Sequence, residues 1–334
     1  MFELLLTLCL DGQPDACRDT LVPDGPFPTE TACEAARPAH PGAICAPAQA
    51  PLAFEEVGPG VFVHVGRIEE PDAANLGDVA NIGFVIGDAA VAVIDAGSAR
   101  WLAEGTWRAI RARTDLPIGP LILTHVHPDH LLGAGFFAEA GVPVIAHQQL
   151  NASLADRAAN YEESFRRLIG PEQFAGGGAV AATEGVAATR RIDLGNRPLE
   201  LRAWPSAHTD SDLTVLDGTT GILFAGDLLF DRHAPALEGS VLGWQAVLGD
   251  LAAEPLAAVV PGHGGPLLPW PEGSAPLARY LEVLTADTRQ AIAEGARIGE
   301  ASRTIAASEA GTWALFDDYN PRNAIAAFTE LEWE

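Results

Sequence analysis

The sequence predicts an α+β protein in which short apolar strands run into loops carrying histidine and aspartate, with helices between them. Three observations predict it. Residues 121–134, LILTHVHPDHLLGA, pass from an apolar run into a dense cluster of His and Asp and then into a helix-forming run. The stretches NIGFVIG and AVAVIDAG are apolar runs joined by a Gly-Asp turn, the pattern of an antiparallel hairpin. Further on, apolar runs again meet single metal-ligating residue types at His208, Asp227 and His263.

Taken in order, the chain begins with a segment that holds all four cysteines, Cys9, Cys17, Cys33 and Cys45, before residue 50. In a stretch rich in Pro, Asp and Ala they suit two disulfides, with three connectivities open. A zinc site of four thiolates would need the short Cys-x-x-Cys spacing that is missing here. The apolar start MFELLLTLCL carries Glu3 where a secretory signal has positive charge, and no small-residue cleavage site follows cleanly, which points to the cytoplasm. Clustered cysteines point the other way, to an oxidising compartment such as the periplasm. Compartment therefore stays open.

From residue 51 the main unit starts. VFVHVGR alternates, with Val61, Val63 and Val65 expected on one face, and the hairpin follows. Asp95 closes AVAVIDAG, where an Asx turn before a helix over residues 99–112 is one reading. After the His-rich loop come a short helix and the strand VPVIAH, whose terminal His147 reads as structural. Residues 148–168 have helical spacing up to Gly170, and the glycine-rich stretch 170–189 reads as a flexible insertion and a candidate lid. PLELRAW then leads to His208, DLTVLDG pairs with GILFAGD across Thr219 and Thr220, residues 244–252 form a helix, and LAAVVPG leads to His263. His233 in FDRHAP, just after Asp227, reads first as a surface histidine, and is otherwise placed for substrate contact or proton transfer. Residues 277–296 are helical, and Asn320-Pro321 reads as the cap and first residue of a final helix. The expected division is 1–50, a cysteine-bearing unit; 51–270, a metal-binding domain; and 271–334, a helical extension.

Spacing carries the chemistry. His125 and His127 are two apart in extended backbone, so both imidazoles face one point. Pro128 turns the chain, letting Asp129 and His130 face a second point, as a second ion beside the first would need. The formal net charge is −25, and all 20 cationic side chains are Arg. That balance argues against nucleic acid as a partner, since a phosphate backbone is held by clustered cations. No apolar run reaches the length of a membrane span.

The motif His-x-His-x-Asp-His, followed in order by His208, Asp227 and His263, resembles the metallo-β-lactamase superfamily over roughly residues 55–269. The resemblance implies an αββα sandwich: two mixed sheets face to face, helices outside, metals at one edge. It implies His125, His127 and His208 on one ion, Asp129, His130 and His263 on the other, Asp227 between them, and Asp95 beneath the metal loop. Two zinc ions, with iron or manganese tolerated, would sit about 3.5–4 Å apart and share an acidified water. Asp129, the expected catalytic carboxylate, and Asp227 would orient the resulting bridging hydroxide toward a small-molecule ester, thioester or lactam. Two alternatives remain: an iron-dependent persulfide dioxygenase binding one metal through His125, His208 and Asp227, and a non-catalytic accessory protein. The cysteine-bearing front, NPRN and the ELEWE ending are similar to a narrower subgroup, the quinoprotein relay system zinc metallohydrolases related to SoxH-type proteins. That similarity implies a functional link to a quinoprotein dehydrogenase system.

Overall fold

The computed structural model describes residues 1–10 and 12–334. The chain opens with β1 (Phe2–Leu10) and β2 (Gln13–Leu21), α1 (Glu30–Ala36) and β3 (Ile44–Pro47), which form a small sheet of order β2-β1-β3. The apolar start of the chain is thus a central strand. Antiparallel register sets Cys9 opposite Cys17, and these two are disulfide-bonded; Cys33 of α1 is bonded to Cys45 of β3. Thr29 starts α1 by accepting a hydrogen bond from Ala32 N–H, as an N-cap threonine should.

Two larger mixed sheets follow. The first contains β4 (Glu55–Gly58), β5 (Val61–His64), β6 (Ile82–Ile86), β7 (Val91–Ile94), β8 (Ile118–Ile122), β9 (Val144–His147) and β10 (Glu184–Val186), laid in the order β10-β9-β8-β7-β6-β5-β4. Between these strands run α2 (Arg100–Arg111), α3 (Pro128–Leu131), α4 (Ala134–Glu139), α5 (Leu150–Ile169) and α6 (Pro171–Phe174). The second sheet runs β11 (Thr189–Asp193), β12 (Pro198–Ala203), β13 (Leu213–Asp217), β14 (Ile222–Phe230), β15 (Ala258–His263) and β16 (Leu268–Pro269), in that order. Helix α7 (Val241–Ala252) links β14 to β15, and α8 (Ala275–Ala293), α9 (Ile298–Ala301) and α10 (Phe316–Leu331) close the chain.

Strand periodicity explains the layering. Alternate residues of β5, β7 and β14 point to opposite faces, so Val61, Val63, Ala92, Ile94, Ile222 and Phe224 meet between the sheets while Phe62, Val93 and Leu223 face outward. The outward set of the first sheet is covered by α2, α4 and α5 through Trp107, Phe136 and Phe165, and that of the second by α7, α8 and α10 through Trp244, Leu284 and Phe328. Each such buried side chain contributes roughly 1.5–3 kcal/mol. The result is the αββα sandwich. Among the described residues no helix is long and apolar enough to cross a membrane.

The structure corrects several expectations. Val65 is 37% exposed, against 0% for Val61 and 1% for Val63, because β5 ends at His64 and the chain leaves the sheet. Residues 170–189 are not a loose insertion: Phe174 is buried in the core cluster that also holds Leu21 of β2, α6 packs against β1 and β2, and β10 adds a parallel strand to β9. The last helix begins at Phe316, so Pro321 lies inside it. Its missing N–H deprives only the carbonyl of exposed Asp317, one turn back. Asn320 caps nothing; it is buried, accepts from Tyr280 O–H at 2.9 Å and donates to Ile305 O at 2.9 Å.

Both flanking units are bonded to the sandwich. Glu104 of α2, 1% exposed, accepts from Arg18 of β2 through two nitrogens at 3.0 Å, from Arg100 at 3.1 Å and from the Leu21 backbone at 3.1 Å. Arg108 of α2 donates to both oxygens of buried Glu3 at 2.9 Å. At the other end Glu330 of α10 accepts from Ser240 Oγ and Val241 N–H at the start of α7, and Asn323 accepts from Leu237 N–H and donates to Pro235 O.

Candidate metal centre

Strand ends deliver the site. β8 runs on through Thr124 to His125 and His127; α3 carries Asp129 and His130; β14 brings Asp227, β15 ends at His263, and the loop between β12 and β13 holds His208. Two groups of ligating atoms result, each with its atoms within 4.8 Å of one another: His125, His127, His208 and Asp227 in one, and Asp129, His130 and His263 in the other. Asp227 joins them, its Oδ1 being 3.2 Å from His130 Nε2 and its Oδ2 3.4 Å from both His208 Nε2 and His263 Nε2. Close packing behind Asp227 requires glycine next to His263: a Cβ on Gly262 would fall 1.9 Å from Asp227 Oδ1.

The outer nitrogen of each ring fixes which nitrogen faces inward. Backbone carbonyls only accept, so His208 Nδ1–H donates to Ala236 O at 2.6 Å and His263 Nδ1–H to Val79 O at 2.8 Å. His130 Nδ1–H donates to Asp95 Oδ2 at 2.8 Å. Thr124 O–H also donates to Asp95, which leaves its oxygen to accept from His125 Nδ1–H at 3.0 Å. His127 is turned around, its Nε2–H donating to Glu238 at 2.8 Å. Four rings thus turn Nε2 inward and His127 turns Nδ1 inward, the arrangement that metal-ligating histidines take when oxygen acceptors hold their far side. Asp95 sits beneath the loop at φ 60° and also accepts from Thr124 N–H at 2.8 Å.

Charge tells the same story. Burial, then the cationic neighbour His130, holds His125 well below the ordinary imidazole range, and burial holds His208 down to about 3. Burial opposes charge on His263 and His130 too, but Asp227 and Asp129 outweigh it, lifting His263 to about 9 and His130 well above its usual range. The two carboxylates are correspondingly held low against the burial that opposes them. A potential that draws protons onto buried imidazoles draws a divalent cation more strongly. Among the described residues His125 Nε2 and Asp227 Oδ1 are both buried without a hydrogen-bond partner, and buried polar atoms are rarely left so. The residues fit metal.

A cavity of roughly 360 Å³ opens over this cluster, lined by Asp129, Asp227, His127 and His263 on its floor. His233 is buried and lines it, its ring 4.8 Å from that of His263 and 4.9 Å from Tyr319, and burial holds it down to about 4. It is not a surface residue. No residue of 170–189 lines the cavity; Glu69 and Glu70 from the loop after β5, and Tyr319 and Arg322 from α10, form the walls instead. His147 stays apart, its Nδ1 accepting from Gln149 N–H at 3.1 Å. Glu238, Arg157 and Tyr319 escaped the sequence reading because no motif marks them: Glu238 meets His127 across 111 residues of chain. Thr124 had a signal, lying directly before His125.

Fold and centre together define a class, and comparison with known proteins agrees. Residues 76–263, more than half of the chain, match the metallo-beta-lactamase superfamily. The chain belongs to that superfamily. Among solved structures it is similar to a metallo-beta-lactamase from Pontibacter korlensis at 20% identity and TM-score 0.56, over 69% of this chain and 99% of that one. It is also similar to TMB-1, studied for substrate and inhibitor binding, at 20% identity and TM-score 0.55, over 70% and 98% of the two chains. At that identity the likeness speaks to the fold.

Proposed function

We propose that the protein is a dinuclear zinc hydrolase acting on a small-molecule ester, thioester or lactam. The observation that supports this most is the pair of adjoining donor groups joined at Asp227, each with its ring nitrogens turned inward. His125, His127 and His208 would hold one ion and Asp129, His130 and His263 the other, with Asp227 between. When bound, two divalent ions supply an acidified water and a Lewis acid for the carbonyl; zinc suits this donor set and iron or manganese are tolerated. The chain's own residues do the rest. Asp129 and Asp227, both kept ionised, accept hydrogen bonds from the attacking water and orient it. Asp95, Thr124, Ala236, Val79 and Glu238 hold the imidazoles at fixed angles. His233, neutral and buried, offers the substrate a hydrogen-bonding contact.

The division into units at 1–50, 51–270 and 271–334 belongs to the same proposal, as does membership of the quinoprotein relay system subgroup. The disulfide-bearing front and the NPRN and ELEWE ending support the latter. Substitution tests the two-ion reading: His127→Ala and His263→Ala should each abolish turnover of an activated ester while leaving the circular dichroism of the protein intact. A His263→Ala variant with near-full rate would make the second ion dispensable and the reading wrong.

A further inference from the structure

The loop between β5 and β6 belongs both to the cavity and to the metal centre. Its residues Glu69, Glu70 and Val79 line the cavity, and the Val79 carbonyl also takes the Nδ1–H of His263 at 2.8 Å. Toward the first sheet the loop is tied down repeatedly. His64 of β5 meets Asp78 at 2.7 Å, Arg67 N–H donates to Asp78 O at 2.9 Å, Ser98 Oγ–H donates to Gly77 O at 2.7 Å, and the Trp101 indole N–H donates to Leu76 O at 3.0 Å. Its attachment to β15, the strand that ends in His263, depends on one further residue.

That residue is Asn81, buried and placed just before β6. Its backbone N–H donates to Gly262 O at 2.8 Å and its Nδ2–H to Pro261 O at 2.9 Å, so one residue grips the two carbonyls directly before His263. Its Oδ1 accepts from Gly66 N–H at 3.1 Å, which draws the two ends of the loop together. The approach there is close enough to require glycine: a Cβ on Gly66 would fall 2.4 Å from both Val79 C and Ala80 N. Asparagine suits the position because it supplies an acceptor and a donor at the same reach. Aspartate has no hydrogen for Pro261, and an apolar side chain leaves both backbone groups without a partner. Asn81 thus acts on His263 twice, through the backbone that carries the ring and through the loop whose carbonyl orients it.

We propose that Asn81 is the positioning residue for His263, and that through it the filling of the second metal position and the order of the cavity wall 66–80 are coupled. This rests on the two-ion reading of the centre and is independent of the reaction. Coupling of this kind is reciprocal: an ion that steadies His263 steadies the wall, and a ligand that steadies the wall tightens that ion by the same factor. The first ion stands outside it, because His125, His127 and His208 are held by Thr124, Glu238 and Ala236, none of them in this loop.

The test titrates the full chain with zinc against a competing chelator and follows hydrogen exchange over residues 66–80 by mass spectrometry. The binding step missing from His263→Ala marks the second ion. Filling it should slow exchange over 66–80 about 10-fold in the wild type, while filling the first position leaves those residues unchanged. Asn81→Ala should weaken the second step about 10-fold, spare the first and abolish the protection; Asn81→Ser, which keeps a group able to donate and accept, should recover part of it. Arg197→Ala, which loosens the same two sheets elsewhere, should lower unfolding stability and leave both metal steps alone. Exchange over 66–80 that ignores the second ion in the wild type overturns the proposal without any variant. So does an Asn81→Ala protein in which both steps weaken equally or neither does, or an Arg197→Ala protein that matches it. A wild type that saturates with one ion overturns the two-ion reading and the coupling together, whereas two ions that bind regardless of Asn81 overturn the coupling alone.

Discussion

Removing the carboxylate of Glu238 should weaken one metal ion and spare the other. Glu238 takes the proton-bearing Nε2 of His127 at 2.8 Å and is itself gripped by Arg157 of α5, while His127 turns its Nδ1 to within 3.0 Å of His208 Nε2. His127 and Glu238 lower and raise each other's pKa accordingly: Glu238 is held down to about 2, first by this hydrogen bond, while its charge lifts His127 above the ordinary range against the effect of burial. An outer partner of this kind is worth about 10–100-fold in metal affinity, or roughly 1.4–2.7 kcal/mol. Glu238→Gln keeps an acceptor without the charge and belongs at the lower end; Glu238→Ala frees the ring and belongs at the upper. Arg157→Ala leaves the His127 bond in place and should cost least. Glu238 is partly exposed, so the variants should fold normally. Zinc titration against a competing chelator resolves the two ions. Glu238→Ala with unchanged affinity for both ions, or with equal loss of both, would refute the reasoning.

Two predictions concern the frame around the site. Glu104→Ala leaves Arg100 and the Leu21 N–H short of a buried acceptor, so thermal or urea unfolding should show a loss of about 3–5 kcal/mol; a loss below about 1 kcal/mol would mean that the first fifty residues are only loosely attached. Arg197 donates to both oxygens of buried Asp217 and to the carbonyls of Ile86 and Pro59, tying the two sheets together. Burial opposes ionisation of Asp217, but the Arg197 and Thr220 hydrogen bonds overcome it and hold its pKa below the ordinary value. The stabilisation is therefore complete above about pH 4, where the unfolded carboxyl ionises, and is lost as pH falls through the lower folded value. Arg197→Ala should remove it, giving lower stability at neutral pH and a shallower decline in acid; equal acid slopes in the two proteins would contradict this.

How much of this was legible in the sequence follows from the range of each interaction. His125, His127, Asp129 and His130 are close in sequence and close in space, so strand and turn geometry alone brought them to notice. The β6–β7 hairpin was equally local. His208, Asp227 and His263 were found through the order of apolar runs and the family resemblance, since nothing in their own neighbourhoods distinguishes them from loop residues. Contacts that depend on which faces meet were out of reach. Glycine-rich 170–189 reads as loose until α6 packs against β2 and Phe174 is buried in the same core. Asn320-Pro321 has the local chemistry of a helix start, but Tyr280 of α8 and the Ile305 carbonyl take the Asn side chain and the helix starts earlier at Phe316. The final helix reads as an appendage because its periodicity shows an apolar face without showing that Tyr319 and Arg322 wall the cavity.

The central claim is a two-ion centre that needs only water. Protein purified without chelators should contain about two metal ions per chain, mostly zinc, and should hydrolyse an activated thioester at the same rate with or without oxygen. One iron per chain, together with oxygen consumption on addition of a persulfide, would contradict the account and assign His125, His208 and Asp227 to a mononuclear dioxygenase.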